Sequence, residues 1–316
     1  LPGVRKYYRY LLLQCTRAIE EFDMAGHPFV ISSSAAVAKG VLTAPGQTHF
    51  AYVHSPARYA WDLTHEYVAN IDGIAAGLKR MAARRMMHRF RLWDMRTPPS
   101  IDHFIANSRF IRQRIWKVYR READVIFPPV NPEGFPLPQA GAREDYYLTV
   151  SRMVPYKRIP LIVEAFARRP DLRLRVVGEG PEMAAVRAAA GPNVEILGHL
   201  PFAEMKRQMQ HARAFVFAAM EDFGIVPVEA QACGTPVIAL GHGGTAETVR
   251  PLGQDDPTGI WFGEQTVESL LGALDTFEAE ARAGTFHAEA CRRNALSFSA
   301  ARFRAALLAH VAERLP

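Results

Sequence analysis

At 316 residues the chain exceeds one typical domain, and that length favours two. Hydrophobic residues make up 49% and charged residues 22%, a globular balance that permits a sizeable core, while no apolar run reaches the roughly 20 residues of a membrane helix. The 38 Lys and Arg against 32 Asp and Glu leave a net charge of +6, which points to an anionic partner, and three unpatterned cysteines, Cys15, Cys233 and Cys291, argue against a disulfide framework or zinc site and for a reducing cytoplasm.

The first half alternates short apolar runs with helical ones. Residues 1–21 are helix-like, with Tyr7, Tyr8, Leu11, Leu12 and Ile19 on one face. His27–Ile31 reads as a strand, Ser32–Ser34 as a turn and Ala35–Gly40 as a short helix; Phe50–Val53 is the next strand, ending at His54-Ser55-Pro56. One long helical region is expected from about Trp61 to Trp93. Asp102–Ala106 is strand-like, Asn107-Ser108 can cap a helix over Arg109–Tyr119, and Val125–Phe127 closes the series. Strand, loop and helix in repetition predict a parallel sheet covered on both faces.

The densest basic run, Lys79 to Arg96, carries Arg80, Arg84, Arg85, Arg89 and Arg91 among Met81, Met86, Met87, Phe90, Leu92 and Trp93. Such a helix suits an anionic membrane surface, where each cation contributes about 1 kcal/mol. A solvated helix with its Met and aromatic stripe turned to the core explains the same residues. Nucleic acid is not the expected partner, because no recognition module accompanies the run.

Residues 128–138 hold the densest prolines and read as an interdomain linker. A more regular series follows. Strands are expected over Tyr146–Ser151, Leu172–Val177, Val194–Leu197 and Ala214–Ala218, with helices over Pro160–Arg168, Pro181–Ala190 and Phe202–Ala212 between them. Next comes the stretch from Glu221 to Leu240. A carboxylate stands in a loop, the chain turns at Gly224, and a helix follows that accepts Pro227 in its first turn, where the missing donor has no partner to lose. That helix ends at Gly234, Pro236 blocks its continuation, and Val237–Leu240 is a buried strand. Glu229 is expected roughly two turns inside the helix. A short helix near Thr245–Val249, a strand Ile260–Phe262 and helices from Val267 onward complete a second doubly wound sheet, whose ligand belongs beyond the carboxyl ends of its strands.

Several residues there can carry chemistry. Arg152 and Lys157 follow the first strand of the second half; an Arg fork and a compact Lys charge could hold a diphosphate, although a solvated loop would look the same. Gly178-Glu179-Gly180-Pro181 is a glycine turn suited to close approach by a ligand, and Gly241-His242-Gly243-Gly244-Thr245 with Glu247 opens another short helix. His54 ends a strand of the first half, where a structural and a cleft role are both open. No Asp-x-Asp pair, P-loop, His-Glu-x-x-His or Gly-x-Ser-x-Gly motif is present, so metal-dependent and serine-nucleophile chemistry lose ground.

Taken together, Arg152 with Lys157, Gly178 to Pro181, Glu221 and Glu229 around Phe223-Gly224-Ile225-Val226, Gly234 to Ile238 and Gly243-Gly244 resemble the C-terminal half of retaining GT-B glycosyltransferases of family 4. Ile105 to Arg109 and Ile126 to Asn131 match in the first half, and the run His54 to Asp62 is similar to that of bacterial surface-polysaccharide mannosyltransferases. The resemblance implies an α/β GT-B fold with two Rossmann-like doubly wound domains facing across a cleft. These are an acceptor-side domain over 1–138, a nucleotide-sugar domain over 139–297 and a C-terminal helix over 298–316 that packs back on the first domain. Family members open with a strand and a glycine-rich loop that this chain lacks, so an N-terminal part is expected to be missing.

It further implies a cytoplasmic transferase, possible at the inner face of the plasma membrane, that moves a sugar with retention from a nucleotide-sugar donor to a polysaccharide or lipid-linked acceptor. Mannose from GDP-mannose is the leading donor. Arg152 and Lys157 would bind the donor diphosphate, Glu229 the ribose, Glu221 with the backbone of Phe223, Gly224, Ile225 and Val226 the sugar, and His54 the region of the reacting carbon. Gly178 and Gly180 would line the donor site. Neither a cofactor nor a metal is implied. Two other readings remain: a nucleotide-sugar epimerase of the same fold, and a non-catalytic donor-binding or scaffold protein.

Overall fold

The structure, a computed structural model, describes residues 11–69, 71–139, 141 and 143–315. The expected helix positions Tyr7 and Tyr8 lie outside them. Two compact units divide the chain, Leu1–Ile126 with Leu307–Pro316, and Phe127–Ala306.

In the first unit α1 (Leu12–Glu20) precedes β1 (Phe29–Ser34) and β2 (Thr48–Val53); α2 (Thr64–Ala69) and α3 (Ala76–Arg96) then lead to β3 (His103–Ala106), α4 (Arg109–Tyr119) and β4 (Asp124–Val125). The strands are parallel in the order β1-β2-β3-β4. Their inner members are apolar: Phe50, Ala51, Val53, Ile105 and Ala106 are fully buried. The backbone N–H of Ile111 donates to Ser108 Oγ at 3.1 Å, so Ser108 caps α4 as expected.

Two local expectations change. Ser32 to Ser34 extend β1 instead of turning, because Ser32 Oγ is hydrogen-bonded to the buried His49 ring (2.8 Å) and Ser34 Oγ accepts from the Lys39 backbone N–H (3.2 Å). The helical region from 61 to 93 is broken, since Gly73 and Ala75 take positive φ (+91° and +64°) and α3 starts only after them. Lys39 itself is buried against α3. Its ammonium pairs with Asp94, whose other oxygen accepts from Trp61 Nε1 (2.7 Å) and Tyr119 OH (2.9 Å). Burial pushes the Lys39 ammonium below its ordinary value, and Asp94 opposes that shift.

The second unit runs β5 (Tyr147–Val150), α5 (Ile159–Ala167), β6 (Leu174–Val177), α6 (Met183–Ala189), β7 (Val194–Gly198), α7 (Phe202–His211), β8 (Ala214–Phe217), α8 (Ile225–Ala232), β9 (Val237–Leu240), α9 (Thr245–Thr248), β10 (Gly259–Phe262), α10 (Val267–Arg282), α11 (Ala288–Leu296) and α12 (Ala300–Ala312). Its strands are parallel in the order β7-β6-β5-β8-β9-β10. Alternate side chains feed two cores. Tyr147, Val176, Val216 and Ile238 pack with α5 and α10; Leu148, Val177, Phe215 and Val237 pack with α8 on the opposite face. Both faces being covered explains why these strands read as continuous apolar runs.

The proline-dense stretch packs on this unit. The Val130 N–H donates to the Phe298 carbonyl (2.8 Å), and Arg292 Nη1 donates to the carbonyls of Pro132 (2.5 Å) and Phe135 (2.6 Å). The end of α12 belongs to the first unit, where the His310 ring lies 6.0 Å from Phe50 and Arg314 reaches Asp124 at 3.2 Å.

Candidate functional site

In the second sheet the chain moves outward from β5 through β6 and β7, then returns to β8 on the other side of β5. The loops after β5 and β8 therefore diverge, and their carboxyl ends form the crevice where such sheets hold ligands. One charged residue from each loop meets the other. Lys157 closes a 3-10 turn over Pro155–Lys157 in the β5 loop, and Glu221 stands in the β8 loop. Lys157 Nζ donates to Glu221 Oε1, joining residues 64 apart in sequence. Their side chains are only 12% and 19% exposed, so the attraction acts in a partly desolvated place. The ammonium also lies 5.3 Å from the Phe217 ring and 5.4 Å from that of Tyr156, an arrangement that favours a cation.

Backbone packing brings the other loops close. At Gly178 (φ +126°) a side chain would collide with the Ser151 carbonyl, and at Gly180 with that of Met153. The near neighbour that demands these glycines is thus the β5 loop itself. A second pair repeats this on the other side: a Cβ at Gly243 would stand 2.6 Å from the Glu221 carbonyl, and one at Gly244 would collide with Phe223. The Gly244 N–H donates to the Glu221 carbonyl at 2.8 Å, which fixes the backbone that carries the carboxylate. Thr245 Oγ1, donating to the Leu240 carbonyl (2.6 Å), anchors that turn to β9. Gly243 and Gly244 were visible in the sequence as a glycine turn, but their support of Glu221 depends on a contact across the sheet.

Gly224 (φ +87°) leads into α8, so its left-handed backbone sets the direction of the helix. The first-turn N–H groups of Ile225 and Val226 have no acceptor inside the helix, and their end of the dipole favours an anion. Phe223 turns its ring into the core against Phe127 (5.9 Å) and Phe298 (5.4 Å), leaving its backbone to the loop. Because α8 begins at Ile225, Glu229 stands about one turn inside it, not two. Its carboxylate is half-buried, makes no recorded hydrogen bond or ion pair among the described residues, and is pushed above its usual pKa by burial. Gly234 (φ +75°) ends the helix as expected.

Arg152 is exposed, and no partner for its guanidinium is recorded among the described residues. His54 belongs to the first unit. Its Nε2 is hydrogen-bonded to Ser33 Oγ (2.8 Å), its ring meets Tyr52 edge-on at 5.3 Å, and burial lowers its pKa, which favours the neutral imidazole. Nearby residues of the run ending at Asp62 are committed locally: Trp61 donates to Asp94, and Arg114 Nη1 donates to Asp62 at 2.6 Å. Among the described residues no three or more His, Cys, Asp or Glu side chains gather as metal ligands.

The second unit is a doubly wound α/β sheet with a charged crevice at its switch point, and comparison with known proteins places its fold. The fold is that of GT-B glycosyltransferases. Sucrose-phosphate synthase from Thermosynechococcus elongatus superposes with a TM-score of 0.72 at 19% identity over 98% of this chain and 79% of that one. Anabaena HepE, solved with UDP and glucose, gives 0.66 at 15% identity over 99% and 84%. Residues 138–296 match the family model of glycosyl transferases group 1, and the chain belongs to that family.

Among curated relatives, the GDP-mannose-dependent monoacylated alpha-(1-6)-phosphatidylinositol monomannoside mannosyltransferase of Corynebacterium glutamicum is 39% identical over 32% of this chain and 30% of its own length. The GDP-mannose-dependent alpha-(1-6)-phosphatidylinositol monomannoside mannosyltransferase of Mycolicibacterium smegmatis is 31% identical over 65% and 60%. The D-inositol 3-phosphate glycosyltransferase of Segniliparus rotundus is 30% identical over 59% and 48%. The chain thus spans between about a third and three fifths of the length of these relatives.

Proposed function

We propose that the protein is a retaining glycosyltransferase that transfers mannose from GDP-mannose to a polysaccharide or lipid-linked acceptor. The observation that carries this reading is the Lys157–Glu221 pair at the switch point of the second sheet, beside the glycine turns that hold both loops. The donor assignment draws on the two relatives named as GDP-mannose-dependent.

In this reading Lys157 and Arg152 hold the donor diphosphate, each charged hydrogen bond contributing about 1.5–3 kcal/mol. Glu229 accepts from the ribose hydroxyls. Glu221 accepts from hydroxyls of the donor sugar, and the N–H groups at the start of α8 face its anionic side. The bond from the anomeric carbon to the diphosphate oxygen breaks while the acceptor oxygen attaches to the same face of that carbon. The departing diphosphate takes the acceptor's proton. Such a reaction asks for position and for stabilised leaving-group charge, which two cations and a helix N-terminus supply without a resident metal.

Incubation with GDP-mannose and with UDP-sugars, followed by measurement of released nucleotide, tests this. Release of GDP in preference to UDP, increased by saccharide acceptors, is the expected result. A folded protein that turns over none of these donors overturns it.

A further inference from the structure

The long basic helix α3 buries only part of its Met, Leu and aromatic residues. Phe90 is fully buried, and the Trp93 ring packs on it at 5.6 Å. The opposite side presents Leu78, Met81, Arg85, His88, Leu92 and Met95, spaced alternately three and four residues apart and therefore in one stripe. Leu78, Met81 and Leu92 are 64%, 61% and 63% exposed, and they lie along this one stripe.

The cations of α3 fall into two groups. Arg80, Arg91 and Arg96 are engaged within the unit, with the Ile71 carbonyl, the Ala60 carbonyl and Glu20. Lys79, Arg84, Arg85 and Arg89 are exposed and have no recorded ion pair among the described residues. The one acid in α3, Asp94, is buried against Lys39. The outward face is thus apolar and cationic with no carboxylate of its own.

We infer that this face docks on an anionic phospholipid surface. Leu and Met side chains of this reach suit shallow insertion of about 5–10 Å, and the Arg stems lie along the apolar boundary while their heads meet phosphates. An acidic protein partner would be met by the same charge, but a continuous stripe over the whole helix fits a planar, fluid surface better than a shaped groove. No helix of the described residues is long and apolar enough to cross a membrane, so the contact is one of lying on the surface.

The test is co-sedimentation of the protein with phosphatidylcholine vesicles, with and without phosphatidylglycerol, at low and raised salt. Binding is expected with phosphatidylglycerol only, weakening as salt rises. Replacing Arg84, Arg85 and Arg89 together by Ser should lower the partition about a hundredfold with unchanged circular dichroism. Leu78→Ser with Leu92→Ser should lower it independently of salt. Absence of binding to phosphatidylglycerol vesicles, equal binding to neutral vesicles, or wild-type binding by both folded variants overturns the inference. The unaltered protein alone decides the first two outcomes.

Discussion

Lys157 and Glu221 approach from opposite loops, and this changes what each can be expected to do. While paired, the carboxylate neutralises the cation; a sugar nucleotide that engages Glu221 through its hydroxyls leaves Lys157 for the diphosphate. Glu221→Gln should therefore keep or improve affinity for a nucleoside diphosphate, while the advantage of the sugar nucleotide over it shrinks by about tenfold. Parallel loss for both ligands in calorimetry would make Glu221 a support of the loop instead. Glu229 allows a test by pH. Burial raises its folded pKa, so folding favours the protonated carboxyl; the penalty is absent below its unfolded value near 4.5 and fully present above the raised one. Glu229→Gln should raise the melting temperature at pH 7.5, lose that gain toward pH 4, and weaken donor binding. A gain independent of pH would place its cause elsewhere. Both glutamates were legible in the sequence. Their different surroundings were not, because the Lys157 contact joins residues 64 apart and the burial of Glu229 depends on what packs around α8.

At the scale of elements, the turns that use glycine for a local reason were the most legible. Gly224 and Gly234 bracket α8 where a turn and a helix end were expected, and both take positive φ. Gly178 and Gly180 read as a turn, yet the group that approaches them is the β5 loop, which no local pattern reveals. The helical period covered α3 but not the break before it, and the two readings of its apolar residues divide them: Met87, Phe90 and Trp93 pack inward, while Met81 and Leu92 face out. The burial of Lys39 is not legible in the sequence, because a lysine is expected at the surface. Its pairing with Asp94 makes the first unit sensitive to one substitution: Asp94→Ala should cost about 3–5 kcal/mol by leaving a buried ammonium without its counter-charge. Denaturant unfolding followed by Trp61, Trp93 and Trp116 measures this. A loss below about 1 kcal/mol would mean that Lys39 sheds its proton or reaches water.

For the whole molecule, the alternation of strands and helices disclosed two α/β units, and the continuous apolar runs disclosed sheets covered on both faces. The return of the chain to β8 beside β5 is a non-local choice, and with it comes the position of the site. The division of the chain shows the same limit. Prolines 128–138 have the composition of a linker, but the carbonyls of this stretch are held by Arg292 and its Val130 by Phe298, contacts made with residues more than 150 positions later. In the proposed function the crevice between β5 and β8 holds a nucleotide sugar through Lys157. Calorimetric titration of GDP-mannose into the protein and into Lys157→Ala tests it most directly. Saturable binding that weakens at least about tenfold in the variant, with the fold intact, is expected; equal affinity in both proteins, or no binding of GDP-mannose to the unaltered chain, would remove Lys157 from the donor site.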